Sequence, residues 1–397
     1  MTEVSEVLML TNAVAPDKLG GLERYVRELS AALVATGVPV TVLTKRVGPG
    51  DAPCETGGDG VRIVRHAVPS KSDPTFALQY PVRVAHGVRS GVRHAGPGVV
   101  VHGHYAITSL PVALSRTPYV YTFHAPVHKE MLSERGGSYV LPAFAQGAAV
   151  RGLRSAERRV VRTASRNVVL SEFMRAQLGE LSTPAGTSSA VVPGGIDTDH
   201  FCPGRAGRDD WAAGGHPLLF TARRLTLRTG VLELVQAMPR ILERHPSARL
   251  AIAGEGHHRP VIEREIADRG LGGSVRLLGR IDDADLLHWY RAADLSVTPT
   301  QHLEGFGLAT GEALAVGTPA LVTPVGANAE LVRDLDPLLV ASGCTPEDLA
   351  SSVVRLVDRP GALAGLRCHA RAHAHPRWAW STVAATYLDL YREHLGR

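Results

Sequence analysis

Short apolar runs alternate with segments of helical periodicity along this chain of 397 residues. In the first half, the runs that resemble strands are residues 7–10, 40–43, 61–64, 99–102, 119–123, 167–170 and 190–192. In the second half they are residues 218–221, 250–253, 275–278, 295–297, 319–322 and 338–341. Buried parallel strands are nearly continuous apolar runs, and helices connect them. The alternation therefore predicts an α/β protein with parallel sheets covered by helices.

The length of the chain predicts two domains, because one hydrophobic core rarely serves this many residues. The segment 193–197 leads into CPGRAGRDDWAAGGHP, whose glycine, proline and aspartate content is typical of a linker. We predict a first domain over residues 1–200 and a second over residues 201–379. The closing segment, 380–397, is predicted to be a helix that packs back onto the first domain. Its apolar stripe consists of Trp380, Val383, Tyr387 and Tyr391.

Composition and the N-terminal sequence are those of a soluble globular protein. Hydrophobic residues make up 44% and charged residues 20%, and no apolar run approaches the roughly 20 residues of a membrane span. The first residues, MTEVSEVLMLTN, carry two acidic side chains before a short apolar strand and do not resemble a signal peptide. We therefore expect a cytoplasmic protein.

The charge and cysteine content limit the ligands that the chain is expected to bind. The net charge of +5 fits an anionic small ligand at least as well as nucleic acid, and 5% aromatic residues disfavour a base-stacking surface. Nucleic acid is therefore not a predicted partner. The four cysteines are scattered without zinc or redox spacing. No metal or other cofactor is predicted, and the oligomeric state is left open.

One basic segment, RGLRSAERRVVRTASR at residues 151–166, has the periodicity of a helix with a charged face. The arginines of that face are Arg151, Arg154, Arg158 and Arg162. The favoured interpretation is that these arginines form a solvent-exposed helix face without a specific ligand. The alternatives are a weak contact with an anionic membrane and a contribution to binding a phosphorylated acceptor.

The segment QHLEGFGLATGEALAVGTPALVTP, residues 301–324, is the strongest candidate for a ligand site. Gly305 and Gly307 let the backbone approach a ligand, and the helix start that follows favours anionic oxygen. Glu304 precedes this turn and Glu312 lies about two helical turns further on, so both carboxylates can face one cleft and accept sugar hydroxyls. The pattern fits a site for a polyol and a diphosphate. The alternative is that Glu304 is an ordinary loop residue and Glu312 a solvated helix position.

Other candidates stand where predicted strands end, which is where open α/β sheets bind ligands. Gly20-Gly21 lies between the first strand and a helix and suits a phosphate or a sugar, although a bare turn has the same sequence. His104 and His124 follow two later strands, either as ligand-binding or as surface-loop histidines.

The second half repeats this arrangement with arginines. Three of them, Arg223, Arg224 and Arg228, follow its first strand and precede a helix. The guanidinium fork matches phosphate oxygens, so these residues are candidates for binding a diphosphate. The next two strands end in Gly254-Glu255-Gly256 and Gly279-Arg280.

Together these segments resemble the retaining glycosyltransferases of the fourth sequence family, which have the GT-B architecture of two Rossmann-like domains facing each other over a cleft. The matching residues occur in the family's order and span nearly the whole chain. They are Gly20-Gly21, His124, residues 193–197 (PGGID), residues 224–230 (RLTLRTG), Gly254-Glu255-Gly256, residues 278–280 (LGR), Glu304 with GFGL, Glu312 with Ala313, and Trp380. The resemblance implies an acceptor-binding first domain and a nucleotide-sugar-binding second domain.

The resemblance also implies a reaction. A hexose or amino-hexose would pass from a nucleotide sugar, UDP-linked by preference, to a hydroxyl of a small polar acceptor with retention of configuration. Glu304, His124 and Arg224 would be the catalytic residues, which position the sugar and neutralise the diphosphate. Glu312 would hold the ribose. The residues implied in binding the nucleotide sugar are Gly20, Gly21, Arg223, Arg224, Arg228, Thr229, Gly279, Arg280, Gly305, Phe306, Gly307, Leu308 and Glu312.

The chain departs from the family at Thr229, where most members carry lysine. Threonine offers one hydroxyl and no charge, so the diphosphate site must depend more on Arg224, with Arg223 or Arg228 as substitutes. A charge-assisted hydrogen bond contributes about 1.5 to 3 kcal/mol. An uncompensated loss would therefore slow transfer by roughly tenfold to a hundredfold.

The acceptor is implied only as a class. Enzymes of this type glycosylate secondary metabolites, including aminocyclitol antibiotic intermediates, whereas others act on lipids or cell-wall precursors. Candidates for an acceptor pocket in the first domain are His104, Tyr105, His124, Glu130 and Glu172. Their carboxylates would suit an acceptor that carries an amine.

Two other functions are kept as alternatives. One is a sugar-nucleotide 2-epimerase, which shares the two-domain architecture. The other is a nucleotide-sugar-binding partner of weak activity, which the missing lysine suggests. A Rossmann oxidoreductase is disfavoured because Gly20-Gly21 is not a G-x-G-x-x-G fingerprint and residues 39–45 lack the expected acidic side chain.

Overall fold

A computed structural model of the chain describes residues 3–17, 20–48, 50–70, 73, 75–93, 95–129, 143–181 and 189–396. The chain divides into two compact units. The first consists of Met1–Gly195 and Trp380–Arg397, and the second of Ile196–Ala379. The division comes after Gly195, where the sequence placed it after residue 200. Ile196 already belongs to the second unit because its N–H donates to the Trp378 carbonyl at 2.7 Å.

The first unit alternates strands and helices. In chain order its elements are β1 Glu6–Leu10, α1 Gly21–Ala35, β2 Val40–Lys45, β3 Cys54–Thr56, β4 Arg62–His66, α2 Phe76–Val92, β5 Val99–Gly103, α3 Ala106–Ala113, β6 Val120–Phe123, α4 Ala143–Thr163, β7 Arg166–Val169, α5 Glu172–Leu181 and β8 Ser189–Val191. The closing helix of this unit, Trp380–Leu395, is α14 in chain order.

The strands of the first unit form one sheet in the order β3-β4-β2-β1-β5-β6-β7-β8. Every pair in it is parallel except β3 with β4. Its central strands are buried, as the apolar runs predict. β3 was not predicted. All three of its residues, CET, are exposed, so the sequence contains no apolar run that would predict a strand here.

The second unit has the same alternation. Its elements are α6 Asp210–Ala213, β9 Leu218–Ala222, a 3₁₀ turn Leu227–Thr229, α7 Val231–Arg244, β10 Arg249–Ala253, α8 Arg259–Asp268, a 3₁₀ turn Leu271–Gly273, β11 Val275–Gly279, α9 Asp283–Ala292, β12 Leu295–Thr298, α10 Leu308–Val316, β13 Ala320–Val322, α11 Asn328–Val332, a 3₁₀ turn Pro337–Leu339, α12 Pro346–Val357 and α13 Ala362–Ala374.

The second sheet is parallel, in the order β11-β10-β9-β12-β13. The strand predicted at residues 338–341 is wrong. Pro337 starts a 3₁₀ turn there, and only Val340 pairs with the sheet, through a single bridge to Val322. Proline donates no N–H to a ladder, and its fixed φ favours the turn.

The closing helix α14 packs within the first unit, as predicted from its apolar stripe. Tyr387 and Tyr391 are fully buried, and the Tyr387 hydroxyl lies 2.8 Å from that of Tyr25 on α1. In α4, Val160 and Val161 are buried while the four arginines of the predicted charged face are exposed.

Candidate active site

The carboxyl edge of the second sheet brings most of the predicted donor-site residues together. β9, β10, β11 and β12 are neighbours and parallel, so their carboxyl ends share one edge. The strand ends and the connections that follow them carry Arg223 and Arg224, Gly254 to Gly256, Gly279 and Arg280, and the segment that leads to α10. Backbone bonds tie them to one another. The Leu225 N–H donates to the Glu255 carbonyl at 3.0 Å, and the Gly254 N–H donates to the Gly279 carbonyl at 2.7 Å.

An ion pair joins two of these connections. Arg223 Nη2 donates to Glu304 Oε2 at 2.6 Å and to Thr300 Oγ1 at 3.1 Å. The side chains are only 9% and 18% exposed, so solvent screens this pair less than it screens a surface pair. Glu304 is therefore held as an oriented carboxylate at the sheet edge.

Arg228 holds the same loop from the other side. Its Nη1 donates to the Leu303 carbonyl at 3.0 Å, and its own carbonyl accepts from the N–H groups of Gln301 and His302. Leu303 has a φ of 48°, in the left-handed region that a leucine rarely adopts. Such backbone strain persists where surrounding contacts fix the chain. The structure thus gives Arg228 a role in shaping the loop that presents Glu304.

Thr229 lies inside the unit, and this corrects the expectation that its hydroxyl contacts the donor. The residue is 2% exposed, and its Oγ1 lies 2.7 Å from the carbonyl oxygens of both Arg224 and Thr226. A hydroxyl has one proton to donate, and the connection between β9 and α7 uses it. The side chain of Arg224, in contrast, is exposed. Arg224 is therefore the most exposed arginine side chain of this connection.

Gly307 sets the start of α10. Its φ is 98°, and a Cβ at this position would overlap the Asn328 amide oxygen, so glycine is required. Phe306 is buried and packs its ring edge-on against Trp378 at 6.1 Å. The side chain of Phe306 thus serves packing, and its contribution to a ligand site would come from the backbone.

Glu312 lies about one turn into α10 and is only 5% exposed. The Tyr290 hydroxyl donates to its Oε2 at 3.2 Å. A buried carboxylate is costly unless hydrogen bonds satisfy it. Its burial rejects the solvated helix position that the sequence left as an alternative.

In the first unit, the two predicted histidines contact each other. His104 Nδ1 lies 3.1 Å from His124 Nε2, and His104 Nε2 lies 3.1 Å from the sulfur of Met9. His104 is 2% exposed, which corrects the expectation that it lines an acceptor pocket. His124 is partly exposed, at the carboxyl end of β6.

A buried polar network that the sequence analysis missed lies beside this pair. His102 Nδ1 lies 2.7 Å from the Tyr391 hydroxyl, and His102 Nε2 lies 2.8 Å from Thr122 Oγ1. Thr122 Oγ1 is also 3.0 Å from the Tyr387 hydroxyl, which contacts that of Tyr25. The tyrosines of α14 were predicted as an apolar stripe. The sequence did contain one indication of this network, because tyrosine hydroxyls on the buried face of a helix need hydrogen-bond partners.

The other acceptor candidates are less closely grouped. Tyr105 is half-buried at the start of α3, where its carbonyl accepts from the Ser109 N–H at 3.0 Å. Glu172 is exposed at the start of α5 and forms an ion pair with Arg175 at 2.9 Å. Glu130 lies outside the described residues. Of these candidates, the structure brings His104 and His124 together.

The loop that precedes Gly20-Gly21 is anchored by an ion-pair cluster. Arg65 donates to both oxygens of Asp17, at 2.6 and 2.8 Å, and to Glu55 at 2.6 Å. The side chains of Arg65 and Asp17 are almost fully buried. Gly20 itself is the residue before α1 and has no side chain to cap the helix. A Cβ on Gly20 would overlap the carboxylate of Glu23, which is buried in the first turn of α1.

Burial keeps His102, His104 and His124 of the first unit neutral. Desolvation lowers the pKa of His124 from 6.5 to about 3, and it lowers the pKa values of His102 and His104 well below 6.5. The neighbouring histidines lower the latter two further.

Stability should therefore decrease in acid. The unfolded chain, with histidine pKa values near 6.5, binds more protons than the folded chain below that pH, so stability is lost as the pH falls from 6.5. Each such histidine is expected to cost about 2 kcal/mol at about pH 5. Thermal midpoints between about pH 7.5 and 5 measure the effect. The exposed His257→Gln variant should show the same slope as the wild type, and a midpoint independent of pH would contradict the assignment.

Two findings concern membranes and metals. In the part of the chain that the structure describes, none of the helices combines the length and the apolar character that crossing a bilayer requires. Among the same residues, no group of three or more His, Cys, Asp or Glu side chains is placed to hold a metal ion.

Family models match both halves of the chain. The model of Glycosyltransferase Family 4 matches residues 19–200, and the model of Glycosyl transferases group 1 matches residues 208–372. Together the two matches include most residues of both units.

Curated relatives and solved structures agree with these models. The chain is 29% identical to glycogen synthase of Mycobacterium tuberculosis over 406 residues, covering 97% of this chain and 94% of the relative. It is 29% identical to the D-inositol 3-phosphate glycosyltransferase of Thermobispora bispora over 399 residues, covering 95% of this chain and 91% of the relative.

Sucrose-phosphate synthase from Thermosynechococcus elongatus has a similar fold, with a TM-score of 0.78 and 22% identity over 98% of both chains. Anabaena HepE in complex with UDP and glucose has a TM-score of 0.74 and 17% identity, covering 98% of this chain and 99% of HepE. At these identities the two structures establish the fold, and the two family models identify both halves of the chain as those of a glycosyltransferase. The chain belongs to the family 4 glycosyltransferases of GT-B architecture, which use a nucleotide sugar.

Proposed function

We propose that the protein is a retaining hexosyltransferase that moves a hexose or amino-hexose from a UDP-sugar to a hydroxyl of a small polar acceptor. One observation carries the proposal. The loop that leads to α10 presents an oriented carboxylate, Glu304, on the sheet edge where Arg224 is exposed. A sugar diphosphate needs both an acceptor for its hydroxyls and a cation for its phosphates.

The donor is assigned to the second unit. The diphosphate is bound by the Arg224 guanidinium and by the N–H groups at Gly307 and Leu308, where the helix dipole favours negative charge. Glu312 accepts the ribose hydroxyls, and the backbone at Gly279 and Arg280 contacts the base. Because Thr229 is buried and Arg228 holds Leu303, the cation that compensates for the missing lysine is Arg224, with Arg223 in second place.

The reaction exchanges one carbon–oxygen bond for another. The bond between the anomeric carbon and the diphosphate oxygen breaks as the acceptor oxygen bonds to that carbon on the same face. The acceptor proton passes to the leaving phosphate oxygen. Positive charge develops on the sugar and negative charge on the diphosphate, so positioned charges supply the catalysis. We propose that Glu304 orients the sugar, that Arg224 stabilises the leaving group, and that no metal is needed. In the first unit, we propose that His124 hydrogen-bonds a hydroxyl of the sugar substrate.

The preference for UDP and for a polyhydroxyl acceptor rests on related proteins. Anabaena HepE has been solved with UDP and with UDP-glucose. The names of the relatives, glycogen synthase and D-inositol 3-phosphate glycosyltransferase, refer to acceptors rich in hydroxyl groups. A cyclitol or an aminocyclitol antibiotic intermediate is such an acceptor, and we propose this class ahead of lipids and cell-wall precursors.

A binding partner of weak activity is the second candidate, because Thr229 brings no charge to the diphosphate and its hydroxyl is used internally. Saturable donor binding without turnover across a broad acceptor panel would favour it. A 2-epimerase would convert UDP-N-acetylglucosamine in the absence of any acceptor.

Thermal unfolding with UDP, GDP, ADP and TDP sugars tests the donor assignment. A ligand at about a hundred times its Kd stabilises the folded state by about 2.7 kcal/mol, which raises the midpoint by roughly 5 to 10 °C for a unit of this size. We expect UDP-sugars to give the largest shift and Glu312→Ala to lose it. A midpoint that no nucleotide sugar raises, in the presence or absence of EDTA, would contradict the proposal.

A further inference from the structure

His124 has one ring nitrogen inside the unit and one toward solvent. Nε2 contacts His104 Nδ1 at 3.1 Å. Within the described residues, Nδ1 has no hydrogen-bond partner, and His124 is the partly exposed member of the pair. Whether Nδ1 carries a proton decides whether it donates to or accepts from a substrate hydroxyl.

Two arrangements of protons are compatible with two neutral rings in contact. In the first, His104 donates from Nδ1 to His124, so the proton of His124 is on Nδ1. In the second, His124 donates from Nε2 to His104, so Nδ1 of His124 has a free lone pair. The two arrangements make opposite hydrogen-bonding groups at the exposed nitrogen.

Met9 distinguishes between them. Its sulfur lies 3.1 Å from His104 Nε2, and both residues are buried. A thioether has no proton and is only an acceptor. In the first arrangement, two lone pairs would therefore face each other in the core, and His104 Nε2 would have no donor. In the second, His104 Nε2 donates to the sulfur and every buried nitrogen of the pair is satisfied.

The rings cannot easily turn away from these contacts. Tyr25 packs edge-on against His124 with a centroid distance of 4.8 Å, and the network of Tyr387 holds the Tyr25 hydroxyl. The ring of His102 lies 4.0 Å from that of His104. Burial also lowers the pKa values of the three histidines, so the extra proton of an imidazolium is disfavoured.

We propose that Met9 and His104 are positioning residues that fix His124 with its proton on Nε2 and an accepting lone pair on Nδ1. The exposed lone pair accepts a hydroxyl proton of the sugar substrate. That last step rests on the proposed function, whereas the proton arrangement does not.

Nitrogen NMR of protein labelled with ¹⁵N-histidine tests the proton arrangement directly in the unliganded wild type. We expect the Nδ1 resonance of His124 to be that of an unprotonated nitrogen at neutral pH. Met9→Leu keeps the volume but removes the sulfur, so the fraction of His124 protonated on Nδ1 should rise. The control is Met174→Leu, another buried methionine of the same unit, which should leave the His124 resonances unchanged.

Activity variants at His104 test the positioning role. His104→Asn retains an acceptor oxygen near the position of Nδ1, whereas His104→Leu retains none. We expect kcat/KM for transfer to fall about tenfold in His104→Leu and to stay within about threefold in His104→Asn. Stabilisation by UDP alone should be the same in both variants, since the residues assigned to UDP belong to the second unit.

Three results would overturn the inference. They are a protonated His124 Nδ1 in the wild type, an equal effect of Met174→Leu and Met9→Leu on that resonance, and an equal loss of kcat/KM in the two His104 variants. If the protein transfers no sugar from any nucleotide donor, the proposed function fails, and the NMR result still decides the proton arrangement. If His104→Leu does not fold, the wild-type spectrum and the Met9 variant still decide it.

Discussion

Replacing Glu304 with glutamine is expected to lower the turnover number about hundredfold while leaving the fold unchanged. The carboxylate accepts a charge-assisted bond from Arg223 at 2.6 Å, and a neutral amide cannot reproduce it. In the proposed reaction, the amide also removes a negative charge beside the carbon on which positive charge develops. Losing one preorganised electrostatic contact of this kind typically costs about a hundredfold to a thousandfold in rate.

Initial rates with a saturating donor measure this effect, and thermal unfolding checks the fold. Glu265→Gln is the matched control, because Glu265 also pairs with an arginine, Arg269, but on α8 and away from the sheet edge. Its turnover should equal that of the wild type. Full turnover in Glu304→Gln would remove Glu304 from the active site.

Arg224→Ala is the second substitution with a large expected effect. We expect kcat/KM for the donor to fall by about tenfold to a hundredfold, the equivalent of one charge-assisted hydrogen bond to phosphate. The reason is the geometry of the connection after β9. Thr229 is buried and carries no charge, Arg228 is bound to the Leu303 carbonyl, and Arg223 is paired with Glu304. Arg224 is the arginine whose side chain is exposed there.

The control for this substitution is Arg264→Ala, which removes an exposed arginine of α8 in the same unit. It should leave kcat/KM unchanged. If Arg224→Ala retains wild-type kinetics while Arg223→Ala loses activity, the cation that compensates for the missing lysine is Arg223, and the roles assigned to the two arginines must be exchanged.

The alternation of apolar runs predicted both sheets because buried parallel strands are apolar over their whole length. It failed where that reason does not apply. β3 is an exposed antiparallel edge strand, and residues 338–341 are apolar because the turn at Pro337 packs inward through Leu339. In both segments, the content of apolar residues follows from whether the segment is buried and not from whether it forms a strand.

The candidate site was predicted in part, because strand ends and glycine turns are visible in the sequence whereas side-chain direction is not. The spacing predicted that Glu304 and Glu312 lie near one helix start. In the structure, Glu304 lies on the loop before α10 and Glu312 is buried within the helix. Spacing could not show that Thr229 turns inward or that Arg223 reaches Glu304. His104 looked like a surface residue because it follows a strand, yet its position over Met9 buries it.

The most direct test of the proposed function is product analysis by proton NMR after incubation with a UDP-sugar and a panel of cyclitol and aminocyclitol acceptors. We predict that release of UDP depends on an acceptor and that an α-linked donor yields an α-linked glycoside. A β-linked product would contradict retention, and conversion of the donor without an acceptor would contradict the transferase assignment.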